Sequence, residues 1–312
     1  MKQQLAYVFI SLMGILSLAA CSGSGDDPNS AGGGRGGTQN GFLNLSITDA
    51  PIDYASEVWI QFDGVELKPT SGSAITVSFD KPMRLDLMAL QGVNSTQMLF
   101  NETLPAGEYN WVRLLVTAIN DGTLDSYIVL NDGSMHDLDI PSGDETGLKI
   151  IGGLEVIANT PTNMTIDFDL RKSITMAGSG EYKLSPVLKL IKDKDAGSII
   201  GSVDQSALTG PACSDVNPAT GNAVYLFDGF DITPDDAGSN NPEPVASAMV
   251  SLNDDTGTYD YSFGFIPFGK YTAAFTCQAD LDDPTSDDDI LFSNAQNISL
   301  SDTTTFPATT FR

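Results

Sequence analysis

Phe42-Leu43-Asn44-Leu45-Ser46-Ile47-Thr48-Asp49 alternates apolar and polar side chains without a break. Successive side chains of a strand point to opposite faces, so the octet reads as a half-buried β-strand, closed by a turn at Asp49-Ala50-Pro51. Working outward, Val58, Ile60, Phe62, Val65 and Leu67 repeat the pattern within Glu57–Leu67. Met83, Leu85, Leu87 and Leu90 continue it within Phe79–Leu90, whose tail from Leu85 fits either a strand or a short helical turn. Further strands are expected at Tyr109–Ala118 and at Tyr127–Leu130 and Met135–Ile140, which bracket the hairpin signal Asn131-Asp132-Gly133. Lys149–Ile151, Leu154–Ile157, Met164–Leu170 and Tyr182–Lys192 follow. Very little of this has a helical period. Short strands separated by turn signals define an all-β fold, built as sandwich or barrel.

The polar break Asp193-Lys194-Asp195-Ala196-Gly197 divides the chain. Beyond it, strands are expected at Ser198–Val203, Ala223–Phe227, Val245–Leu252, Tyr259–Phe265, Thr272–Ala279, Ile290–Phe292, Asn297–Leu300 and within Thr303–Phe311. One element recurs in both halves. Leu104-Pro105-Ala106-Gly107-Glu108-Tyr109 and Ile266-Pro267-Phe268-Gly269-Lys270-Tyr271 share the order apolar-Pro-X-Gly-X-Tyr. Proline presets φ, glycine admits the positive φ of a turn, and tyrosine opens the next strand. The expected architecture is two β-sandwich domains of related design, residues 42–195 and 196–312.

The N-terminus has a different composition. Lys2 is the only charge before an apolar run from Leu5 to Ala20, the layout of a secretory signal peptide. Its 16 residues are slightly short for a membrane-spanning helix. The run ends in Leu18-Ala19-Ala20-Cys21, which resembles the lipobox of bacterial lipoproteins. The resemblance implies cleavage between Ala20 and Cys21, removal of residues 1–20, and acylation of the Cys21 thiol and amino group. One acyl chain anchors only marginally, at about 0.8 kcal/mol per buried methylene, whereas three hold permanently. Ser22 in place of an aspartate favours the outer membrane by the same resemblance, and leaves the face open. Residues 22–41 contain eight glycines and no large apolar side chain, so residues 21–41 read as a lipidated cysteine and a flexible linker. Its root-mean-square span would be roughly 25 Å.

Cleavage would leave 292 residues, enough for two domains with real cores. Removing Lys2 leaves 14 basic against 41 acidic residues, a net charge of −27. Such a surface repels nucleic acid and anionic headgroups, which argues against a nucleic-acid partner; the membrane is reached through the lipid alone. Cys213 and Cys277 form an even pair in an oxidising compartment and are expected to be bridged, with two buried thiols as the alternative.

By Tyr182 the first block has assembled four ordered motifs: Leu45-Ser46-Ile47-Thr48-Asp49-Ala50-Pro51; Leu104–Tyr109 with Arg113-Leu114; Asp167-Phe168-Asp169-Leu170 with Lys172-Ser173; and Tyr182-Lys183-Leu184-Ser185-Pro186-Val187. Over residues 42–195 the chain resembles the bacterial lipoprotein ectodomain family listed as domain of unknown function 4382. The resemblance implies an exported β-rich domain and brings no activity. Residues 197–312 are similar to carboxypeptidase-regulatory-like or prealbumin-like modules, on Gly197–Val203 and the Ile266–Tyr271 turn.

The residue types present bound the chemistry open to the chain. His136, the only histidine, lies beside Asp137, with no Gly-X-Ser-X-Gly elbow to support a hydrolase triad, and it reads as a surface residue. One histidine and two distant cysteines do not assemble a zinc site. Asp167 and Asp169 share a strand face opposite Ile166, Phe168 and Leu170, and read as solvated or as paired with Arg171 or Lys172 rather than as a glycosidase pair. No cofactor is expected unless it is Ca2+: Asp280, Asp282, Asp283, Asp287, Asp288 and Asp289 crowd ten residues with hard oxygen donors, but the spacing lacks the EF-hand glycine and glutamate, and a charged loop between strands is the alternative. Trp59, Trp111 and Tyr127 are the aromatic candidates for stacking on a sugar, with both tryptophans expected in the core. The expected role is non-enzymatic, envelope-associated binding or structural support with an envelope protein or glycan as partner. A calcium-dependent adhesin or glycan-binding module comes second, and a carboxylate-dependent hydrolase third.

Overall fold

The structure is a computed structural model that describes residues 39–118, 124–140, 147–178, 180–210, 213, 221–238, 242–302 and 306–311. The readings at Ala20, Cys21 and nearly all of the linker lie outside these residues. Among the described residues no helix is long and apolar enough to cross a membrane.

The first half comprises β1 (Asn40–Ala50), β2 (Ala55–Pro69), β3 (Ile75–Asp86), β4 (Thr96–Pro105), β5 (Gly107–Thr117), β6 (Tyr127–Leu130), β7 (Met135–Asp139), β8 (Leu148–Val156), β9 (Pro161–Asp169), β10 (Ile174–Met176), β11 (Tyr182–Leu184) and β12 (Leu188–Lys192). Four strands in the order β12-β9-β1-β4 form one sheet. The other runs β10-β11-β7-β6-β2-β5-β8, with β3 also paired to β2. The alternation read in β1 does what it implies: Leu43, Leu45 and Ile47 are buried in a core shared with Val58, Ile60 and Phe62 of the opposite sheet. Each such side chain contributes roughly 1.5–3 kcal/mol on burial.

Four local expectations change, one being that Tyr182–Lys192 is two strands in different sheets, β11 and β12, parted at Ser185-Pro186-Val187. The tail of Phe79–Leu90 is helical: β3 stops at Asp86, whose carboxylate accepts from Met88 N (3.1 Å) and caps a 3-10 turn over Leu87–Leu90. Lys149–Ile151 and Leu154–Ile157 are one strand, β8, because Gly152-Gly153 absorbs an extra residue as a bulge between the Tyr109–Leu154 and Trp111–Ile151 pairs. The edge strand β4, poor in alternation, was not anticipated.

A three-residue turn at Asp193–Asp195 leads into the second half: β13 (Ala196–Val203), β14 (Ala223–Asp228), β15 (Ala246–Met249), β16 (Ser251–Asn253), β17 (Thr258–Pro267), β18 (Gly269–Thr276), β19 (Gln296–Leu300) and β20 (Phe306–Phe311). Two four-stranded sheets, β16-β17-β13-β20 and β15-β14-β18-β19, enclose a second core around Ile199, Val224, Tyr261 and Phe275. Ile290–Phe292 is not a strand. Ile290 and Phe292 instead cover the far face of β14, where Phe292 meets Tyr225 and Phe227 edge-on.

The recurrent Pro-X-Gly-X-Tyr element proves to be a corner between sheets. β4 and β17 end on the proline, one residue intervenes, and β5 and β18 start on the glycine in the facing sheet. Tyr109 Oη donates to Pro105 O (2.8 Å) and Tyr271 Oη to Pro267 O (2.6 Å), so each hydroxyl closes its own corner. The glycines differ in role. Gly107 has φ +142°, whereas Gly269 has no positive φ and leaves room for the Tyr271 ring. In both halves the first strand pairs in parallel with a late one, β1 with β9 and β13 with β20. Cys213 and Cys277 are joined by a disulfide, with Cα atoms 5.4 Å apart, within the second sandwich.

Candidate functional site

The site that gathers most of the buried chemistry lies where the two sandwiches meet, and its centre is Arg171. After β9, Asp169-Leu170-Arg171-Lys172-Ser173 makes one helical turn. Asp169 Oδ1 accepts from Lys172 N (3.1 Å), and Ser173 Oγ donates back to Asp169 O (2.5 Å) while accepting from Val187 N (2.8 Å). Leu170 enters the first core, and the turn directs Arg171 away from it towards the second sandwich.

There the guanidinium forms a short ion pair with Asp53, donates to Ala279 O (3.0 Å) and Tyr225 Oη (3.2 Å), and lies 3.7 Å from Asp282. Its side chain is 6% exposed, Asp53's 7% and Asp282's 0%. Tyr225 Oη donates in turn to Asp282, whose other oxygen accepts from Ala237 N (3.2 Å). Burial opposes the guanidinium charge, but the neighbouring Asp53, Tyr225 and Asp282 overcome it and hold the arginine protonated. Burial is also the first cause that raises Asp282, opposed by the Tyr225 hydroxyl and Arg171. Such an arrangement couples the sandwiches, since removing Arg171 leaves the buried Asp53 charge without its cation.

Other contacts extend the junction. Lys172 Nζ reaches Glu243 (3.2 Å) and Pro244 O (3.1 Å), and Lys189 Nζ reaches Val245 O (2.8 Å). Gly92 and Gly264 bring the two backbones so close that a Cβ on Gly264 would overlap the Gly92 carbonyl. Beside the knot opens a cleft of about 700 Å³. Asp53, Arg171 and Asp282 line it, together with Tyr54, Ile174, Met176 and Tyr182 of the first sandwich and Asp280 and Asp283 of the second. Burial first, then Tyr182, push the Tyr54 hydroxyl up to about 12; Arg171 opposes this, while Asp53 and Asp283 add to it.

The aspartate run is divided among several tasks. Asp282, Asp287 and Asp288 converge with Asp235 and Asp236, which the sequence reading missed. Carboxylate oxygens of Asp235, Asp236 and Asp287, and again of Asp236, Asp282 and Asp288, lie within 4.8 Å of one another. Asp288 N donates to Asp236 (2.8 Å), tying the two loops together. Asp280 and Asp283 face the cleft instead, and Asp283 Oδ1 accepts from Thr285 N (2.9 Å) and Thr285 Oγ1 (2.7 Å). Asp289 is exposed and joins neither group. The Asp235-Asp236 pair in the sequence was the available signal, but nothing in the spacing shows that it meets a loop some fifty residues on.

The remaining candidates are structural. His136 Nε2 and Ser134 Oγ are 3.1 Å apart, but Ser134 Oγ also donates to Asp132 (2.6 Å). The acid therefore touches the serine rather than the imidazole, the reverse of the order that activates a nucleophile. Asp169 is occupied as a helix cap, and Asp167 faces Lys189 across the β9–β12 ladder, so neither carboxylate pairs with Arg171 or Lys172. Burial, reinforced by Asp169 and opposed by Lys189, raises Asp167 to about 6.

The core placement of the tryptophans is wrong. Trp59 lies between buried Val58 and Ile60 and so faces outward, half-buried, donating to Glu57 (2.6 Å) and stacking on Tyr127 at 6.3 Å. Trp111 faces outward likewise, flanked by Arg113 (4.5 Å) and Lys149 (4.9 Å).

Fold and junction together define an all-β protein of two fused sandwiches, each closed by a tyrosine corner. Residues 40–186, within the first sandwich, match the model of the family described as a domain of unknown function, DUF4382. The match stops short of β12, the strand that completes the smaller sheet. No curated protein matches the sequence. Among solved structures, the minor pilin of Streptococcus agalactiae is similar at 10% identity, covering 86% of this chain and 94% of that one with a TM-score of 0.19. A fimbrial protein from Bacteroides ovatus is similar at 10% identity, covering 84% and 46% with a TM-score of 0.18. The major pilin of Streptococcus pyogenes is similar at 9%, covering 86% and 95% with a TM-score of 0.16. Scores this low establish neither a shared topology nor a shared role.

Proposed function

We propose that the protein is an outer-membrane lipoprotein, acylated on Cys21 after cleavage behind Ala20, whose ectodomain has a non-enzymatic binding or structural role in the envelope. The observation that carries this reading is the Arg171 knot. It commits three buried charged side chains, Arg171, Asp53 and Asp282, to holding two sandwiches together, and it adjoins a cleft rather than a nucleophile and base. The linker would then present one firm body at a distance from the lipid. Membrane fractionation and cross-linking in intact envelopes test both parts. Wild-type protein should remain with membranes and capture an envelope protein or glycan, and Cys21→Ala should be released. Retention of Cys21→Ala overturns the anchor, and turnover of envelope polysaccharide or peptide by the ectodomain overturns the non-enzymatic reading.

The convergence of Asp235, Asp236, Asp282, Asp287 and Asp288 favours a second reading, a calcium-dependent adhesin or glycan-binding module. Their donors are all hard carboxylate oxygens, the kind Ca2+ takes six to eight of. Calorimetric titration of chelator-stripped protein should give saturable heat that Asp236→Asn and Asp288→Asn abolish, and no heat from the wild type rejects it.

A further inference from the structure

We propose that the cleft between the sandwiches binds a small organic ammonium, its N–H groups donating to Asp53 and its carbon body lying against Tyr54, Tyr182, Ile174 and Met176. The size and place fit a ligand site. Pockets of about 300–1,000 Å³ at domain junctions, mostly apolar with a few convergent polar groups, are the usual form. This one has about 700 Å³ and receives residues from both sandwiches.

The sign of the ligand's charge follows from the lining. Asp53, Asp280, Asp282 and Asp283 are four carboxylates against the single guanidinium of Arg171, a formal −3. An anion would meet that field, and both terminal nitrogens of Arg171 are already engaged by Asp53, Tyr225 and Ala279. Two hydrogen-bonding groups of the cleft residues are unmet, the donor Arg171 Nε and the acceptor Asp53 Oδ1, and the acceptor, lying among the carboxylates, points the same way. Asp53 gives one oxygen to Arg171, while Oδ1 is buried with no hydrogen-bond partner, on a side chain 7% exposed. A lone acceptor in a site of low polarity requires a donor, and an ammonium supplies one with the complementary charge. Two tyrosine rings beside it add the aromatic faces on which organic cations rest.

Calorimetry of the purified ectodomain in chelator and low salt tests this, with cadaverine and glucosamine as amine probes and pentanediol and glucose as their uncharged counterparts. At least one amine should bind saturably and its counterpart should not; preference for cadaverine indicates a linear amine, preference for glucosamine an amino sugar. Tyr54→Ala and Asp283→Asn should each weaken binding about tenfold, and Met176→Trp should block it. These positions are exposed (Tyr54 by 44% and Met176 by 66%), so an unchanged melting temperature will show that the fold is kept. Absence of saturable binding by both amines, equal binding of the uncharged compounds, or variants that bind like the wild type would each overturn the proposal.

Discussion

Replacing Arg171 by methionine probes the junction most directly. The substitution keeps most of the side-chain volume and removes the charge. It leaves the Asp53 and Asp282 side chains, 7% and 0% exposed, without their cation. Asp282 retains donors in Tyr225 Oη and Ala237 N, so the penalty falls mainly on Asp53. Truncating one partner of a buried ion pair costs about 3–5 kcal/mol. At roughly 2–4 °C per kcal/mol for a body of this size, the melting temperature should fall by about 10 °C. The pH dependence has a definite sign. Asp282 is already raised by burial and partly held down by Arg171, so without the guanidinium it rises further and the folded state takes up protons more readily than the unfolded one. The deficit is then complete at neutral pH and shrinks as the pH falls through that raised value. Circular-dichroism melts of wild type and variant at pH 7.5 and pH 4.5 measure both effects. Melting points within about 2 °C of each other at pH 7.5, or a gap that does not narrow in acid, would refute this account.

Asp167, raised to about 6 chiefly by burial, should contribute a loss of stability as pH rises through 6, since its charged form is the disfavoured one. A carboxyl-carbon NMR titration should place its midpoint near 6 and Asp167→Asn should flatten the stability slope there; a midpoint near 4 contradicts both. Tyr109→Phe and Tyr271→Phe each remove one corner hydrogen bond, and urea denaturation should register about 0.5–1.5 kcal/mol for either. Reduction of Cys213–Cys277, which closes a sequence separation of 64, should cost about 4 kcal/mol on the chain-entropy model. An unchanged urea midpoint in reductant would show that the bridge constrains little.

Local pattern made much of the fold legible. Leu43, Leu45 and Ile47 declare their face by parity alone, because a strand's period of two is independent of its partner. The Pro-X-Gly-X-Tyr corners were readable for a similar reason: proline, glycine and the tyrosine that closes on the proline carbonyl span only five residues. The same parity, applied strictly, would have placed Trp59 outside, opposite Val58 and Ile60. Trp111 was harder, since the irregularity between Tyr109 and Trp111 breaks the count from the corner tyrosine.

The candidate site belongs to the other category. Arg171 meets Asp53 across 118 positions and Ala279 across 108, and Asp236 meets Asp288 across 52. In a chain with 41 acidic residues, composition does not select which carboxylate a cation will find. Sequence by itself determined most of the strands, the corners and the all-β class, because these follow from backbone period and turn chemistry within a few residues. Only the tertiary structure decided which charges are buried together and where the cleft opens, because the two sandwiches had to pack before Asp53, Arg171 and Asp282 shared one low-dielectric place.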